Sequence, residues 1–211
     1  MKRYLFLFFI LFAACQTAKK EQPHAVTVSI LPQKYLIEQI AGNLLQVNIL
    51  VPPGSSPHNY EILPSQMKEL SKSKVWFQIG LLTFEDAWKE KIAEINKDLL
   101  IVNSSEGISL IAGSEHEHEG GNHRHAEAFD PHVWLAPAEI KTLAKHTLES
   151  LQKSFPEHAS EFRKNYDTFI QKIDGLSAQI DQKLAPLKNR NILIFHPALA
   201  YFARQFKLEQ I

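Results

Sequence analysis

The chain has 211 residues, 45% of them hydrophobic and 22% charged, with 23 basic and 23 acidic side chains. That length supports one sizeable core, or one domain and part of another. A formal charge of zero and no lysine or arginine stripe exclude nucleic acid as a partner, because phosphate binding needs a basic face.

Met1, Lys2 and Arg3 precede an unbroken apolar run, Tyr4 to Phe12, that is too short to span a bilayer and ends in Ala13, Ala14 and Cys15. This is the pattern of a secretion signal. The small residues before Cys15 resemble the lipobox of bacterial lipoproteins, although Phe12 stands where leucine is usual. The resemblance implies a signal over residues 1–15, lipid attachment at Cys15 and a membrane anchor. Polar residues 16–24 read as a tether. Cys15 is the single cysteine, so no intrachain disulfide forms and the core alone must hold an exported fold.

From Val26 to Leu31 the chain reads as a buried strand. Pro32 opens a helix with Leu36, Ile37 and Ile40 on one face, stopped by Gly42. A second strand, Val47 to Val51, runs into a proline-rich loop from Pro52 to Glu61. Ser65 is placed to cap a short helix, and Val75 to Ile79 form a third strand. Thr83 to Asp86 read as a capping-box start for a helix turning Ala87, Trp88, Ile92 and Ile95 inward. Leu99 to Val102 make a fourth strand. Strands alternating with helices predict an α/β fold with a parallel sheet, since parallel strands need crossover helices.

Between Glu115 and His132 lie five of the ten histidines, five carboxylates and two glycines, with no apolar periodicity. Pairs such as His116/His118 and His123/His125 let one stretch of chain offer two imidazoles to one ion, so these four are expected to bind auxiliary metal. Beyond them the pattern becomes ordered. Pro137 starts a helix carrying Ile140, Leu143, Ala144, Leu148 and Leu151, and Pro156 starts one that reaches about Ala185. The second is far longer than the globular mean of roughly 11–12 residues, which predicts a link between two lobes. Asn191 to Phe195 form a fifth strand, followed by His196, Pro197 and a helix through Tyr201, Phe202 and Phe206. Lys207 to Ile211 approach another strand. The expected division is a signal (1–15), a tether (16–24), a first lobe (25–136) containing the histidine-rich loop (114–128), interlobe helices (137–187) and the start of a second lobe (188–211). With so little of a second lobe, Phe195, Tyr201, Phe202 and Phe206 are expected to stay partly exposed, and His196 to ride on a loosely held piece.

His58, His132 and His196 share one kind of address. His58 and His196 lie in loops after strands, His132 precedes the interlobe helix, and each adjoins a proline that stiffens the backbone. In open α/β sheets ligands bind beyond the carboxyl ends of the strands, so the three can converge on one crevice. Glu61 is a candidate for orienting a ligand histidine. The tryptophans Trp76, Trp88 and Trp134 sit in apolar contexts and read as core.

The stretches Pro52 to Glu61, Asp130 to Leu135 and Phe195 to Phe206 resemble the three histidine motifs of the zinc-uptake solute-binding proteins of bacterial ABC transporters, cluster A-I. The resemblance runs from about Val26 to the end. It implies two Rossmann-like lobes with parallel sheets, joined by a long rigid helix, the second lobe C-terminally truncated here. It also implies metal ligands at His58, His132 and His196, permease and ATPase partners, an exported, membrane-anchored monomer, and no enzyme activity. Manganese-specific relatives resemble this pattern with glutamate where His196 stands. Three neutral imidazoles therefore favour zinc over manganese, while copper or nickel would bind such nitrogens at least as tightly. The competing readings are a zinc hydrolase, for which no His-Glu-x-x-His helix is present, and a surface adhesin or zinc buffer on the same fold.

Overall fold

The structure, a computed structural model, describes residues 24–58, 60–113 and 128–211. Cys15, His116, His118, His123 and His125 lie outside the described residues. Strand β1 (His24–Val28) pairs in parallel with β2 (Leu45–Ile49) on one side and β3 (Val75–Gln78) on the other, and β4 (Leu100–Asn103) completes the order β2-β1-β3-β4. β1 thus begins inside the stretch expected to be tether. Every residue of β3 and the last three of β1 are buried, Thr27 and Gln78 included, so both faces of these strands are covered.

Helices α1 (Leu31–Ala41), α2 (Pro64–Leu70) and α3 (Thr83–Ile95) make the crossovers. Their N-cap residues, Ile30, Leu63 and Leu82, carry no side-chain acceptor. The acceptor comes instead from the third helical residue. Gln33 Oε1 accepts from the amides of Ser29 and Ile30 at 3.1 and 3.2 Å, Gln66 Oε1 from Leu63 at 2.9 Å, and Glu85 Oε2 from Leu82 at 3.4 Å. This is half of a capping box, and it satisfies donors the helix itself cannot. Ser65 and Thr83 are therefore not caps, because each already lies inside its helix. In α3 the stripe Phe84, Trp88 and Ile92, at four-residue spacing, takes the inner face. Ala87 and Ile95, expected inward, fall on its flank and are exposed.

Helix α4 (Pro137–Ser154) buries Leu143, Ala144, Leu148 and Leu151, with Ile140 partly covered. A 3₁₀ turn, Pro156–His158, leads into α5 (Ala159–Leu184). The expectation that the long helix links lobes instead of packing within one needs correction, because it does both. Phe162, Phe169 and Ile173 are buried, α5 lies against α1 and α4, and Asn165 donates to the Ile40 carbonyl at 3.0 Å. Past Ile173 the cover ends, and Leu176 is exposed.

The expected fifth strand contracts to β5 (Asn191–Ile192), paired in parallel with β6 (Glu209–Gln210). A two-residue partner leaves Leu193 and Phe195 outside the ladder and exposed. Between β5 and β6 in sequence lies α6 (Ala200–Phe206). Tyr201 and Phe206 were expected to be partly exposed and are buried, at 0% and 4% relative exposure. The reason is that α6 docks on the first lobe. Arg204 donates to Glu139 Oε1 at 2.8 Å and to the Ser109 carbonyl at 2.6 Å, and Gln205 accepts from the Ala138 amide at 3.0 Å.

Candidate metal centre

From β1 the chain moves to β2 on one side and then crosses to β3 on the other. The carboxyl ends of β1 and β3 therefore flank a topological switch point, where open α/β sheets form their crevices. The floor there is polar and closed. Trp76 Nε1 donates to Ser29 Oγ at 3.2 Å, and Glu85 takes the amides of Ile79 and Gly80 at 2.7 Å each. Burial pushes the Glu85 carboxyl up to about 7, against the opposite pull of Ser29 and these amides. Gly80 adopts φ +81°, and a Cβ there would land on the side-chain amide of Asn103. This glycine is required both by its backbone angle and by the close approach of the β4 end.

Above this floor three imidazoles meet. His58 is half-buried, His132 buried and His196 exposed, and one ring nitrogen from each lies within 4.8 Å of the others. Ring centroids stand 5.7 Å apart for His58 and His132, 5.8 Å for His58 and His196, and 5.0 Å for His132 and His196. Thr83 Oγ1 donates to the His58 carbonyl at 3.2 Å, tying that loop to the start of α3. His132 sits at the head of a 3₁₀ turn, Val133–Leu135, that feeds α4.

Asp130 fixes the chemistry of His132. Its Oδ1 accepts from the His132 amide at 2.8 Å and lies 2.7 Å from the ring Nδ1. A carboxylate can only accept, so Nδ1 carries the proton and Nε2 presents its lone pair to the other imidazoles. Glu61, the carboxylate expected to orient a ligand, is exposed, and Asp130 is found in that position against His132. The signal was in the sequence, since an Asp two residues ahead of an amide, with proline between, is an Asx-turn pattern.

His196 is not loosely held. Its Nε2 lies 3.2 Å from Nε2 of His132, and the docked α6 begins four residues later. Three neutral imidazoles so disposed fit a borderline-soft divalent ion better than a hard one.

A parallel α/β sheet with a histidine cluster over its switch point, and a long helix leading to a second small sheet, defines the class as an α/β protein with a candidate metal-binding cleft. The family model described as ZnuA, zinc-uptake complex component A, periplasmic, matches residues 26–211, and the chain belongs to that family. A protein of Chlamydia trachomatis is 32% identical over 181 residues, which make 86% of this chain and 61% of that one. The zinc-binding protein AdcA of Streptococcus pyogenes is 28% identical over 200 residues, covering 88% of this chain and 38% of its own length. The crystal structure of a ZnuA deletion mutant with zinc bound superimposes with a TM-score of 0.80 at 34% identity, over 90% of this chain and 69% of that one. The chain thus spans less than two thirds of the length of these two relatives.

Proposed function

We propose that this chain captures zinc outside the cytoplasm through His58, His132 and His196 and hands it to the permease of an ABC transporter with its ATPase. The observation that carries the reading is the convergence of three ring nitrogens within 4.8 Å, delivered by three separate segments. The zinc-bound ZnuA neighbour and the zinc-binding AdcA relative support zinc as the cargo. The hydrolase alternative has no support in the family or the fold. In this reading residues 25–136 form the first lobe, 137–187 the interlobe helices and 188–211 part of the second lobe. His116, His118, His123 and His125 collect additional zinc, while Cys15 carries the anchor of an exported lipoprotein.

The test is a chelator-competition titration of the parent chain and of His58→Ala, His132→Ala and His196→Ala. Each substitution is expected to weaken the tightest zinc site while leaving weaker sites filled. Tight binding that survives all three replacements would overturn the assignment.

A further inference from the structure

We propose that Tyr201 is a positioning residue that locks the His132 arm of the metal centre to the segment bearing His196. The inference rests on the zinc-site reading above and deepens it. Tyr201 is fully buried, and its hydroxyl donates to the Asp130 carbonyl at 2.8 Å while accepting from the Ile111 amide at 3.3 Å. Those two residues are already joined, because the Asp130 amide donates to the Ile111 carbonyl at 2.9 Å and Ala112 bridges Phe129 in antiparallel fashion. The hydroxyl therefore ties Ile111 to Asp130 a second time.

What it holds there is the peptide of Asp130, whose carboxylate sets the ring of His132. One turn further along α6, Arg204 lies over the Tyr201 ring at 5.0 Å and binds the Ser109 carbonyl and Glu139. The helix that follows His196 is thus fastened to both stretches that flank Tyr201's partners. Burial raises the pKa of the phenol, so the hydroxyl keeps the proton it donates throughout the neutral range. A phenylalanine would fill the same space and leave two backbone groups without their partner, which is the costly way to lose a hydrogen bond.

Tyr201→Phe in the whole chain tests this, with zinc affinity from chelator competition and the His132 Nδ1 proton followed by NMR on histidine-labelled protein. The expected result is about tenfold weaker zinc binding, in the range that loss of an outer partner of a metal ligand produces. Faster exchange of the Nδ1 proton is expected with it. Adding Asp130→Asn should then cost little more than either change alone, because the two residues act in one chain of contacts. Parent-like affinity with an unchanged Nδ1 signal would overturn the inference, and so would fully additive losses in the double variant. A parent chain that binds no zinc, or a His132→Ala chain that binds it as the parent does, would overturn the site reading and this inference with it.

Discussion

Nε2 of His132 and Nε2 of His196 lie 3.2 Å apart. Because Asp130 keeps the proton of His132 on Nδ1, His132 turns the lone pair of Nε2 toward His196. Two nitrogens each about 2.0–2.1 Å from a tetrahedral ion stand about 3.3 Å apart, so the spacing of this pair suits one zinc ion.

His196→Ala should therefore be severe, contrary to the expectation for a loosely carried histidine. It should weaken zinc binding by more than the ~10–100-fold that loss of an outer partner costs. Isothermal titration of the variant against the parent chain measures it, and a loss under about tenfold would show that His196 is a bystander.

Zinc binding should weaken as pH falls, since each imidazole must be neutral to coordinate and free imidazole protonates near pH 6.5. Titrations at about pH 7.5 and about pH 5 are expected to differ strongly, with protons released on binding at the lower pH. Equal affinity at both would assign the ion to carboxylates instead.

Glu85 supplies a separate dependence, on stability. Burial pushes its carboxyl up to about 7 in the fold from an ordinary 4.5, so between these values the group binds more protons in the folded chain than in the unfolded one. The contribution of Glu85 to stability is then greatest below about 4.5, falls as pH rises to about 7 and is constant above, by a total on the order of 3 kcal/mol. Urea melts of the parent chain and Glu85→Gln across this range should differ in slope. Parallel profiles would mean that the backbone amides keep the carboxylate charged.

Gly80→Ala should destabilise the fold by at least about 1–3 kcal/mol, from the positive φ alone, with the clash against Asn103 added. The control Gly54→Ala also has positive φ but open space around its Cβ position, and should cost less. Thermal melts of both variants separate backbone strain from close approach.

Most of the sheet and the convergence of His58, His132 and His196 were legible in the sequence, because strands buried on both faces are rich in apolar and β-branched residues and strand-end loops are where such folds gather polar side chains. Helix starts were misread at Ser65 and Thr83, since capping residues were sought at the N-cap while Gln66 and Glu85 supply the acceptors from inside the helix. The docking of α6 was illegible for a different reason. Tyr201 and Arg204 find their partners about 70–95 residues away, at Asp130 and Ser109, and no local periodicity records such contacts. Phe195, by contrast, was expected to be exposed and is.

The closed base beneath the histidine-rich segment has an evolutionary consequence. The Gly113 amide meets the Ala128 carbonyl at 3.3 Å, so the two ends of that segment are held together by the fold itself. Whatever joins them can lengthen or shorten while the sheet and the three clustered histidines stay in place. Doubling such an insertion costs only about 0.6 kcal/mol in closure entropy. The fold and the segment can thus be selected independently, one for how firmly its packing is held and the other for how many histidines it carries.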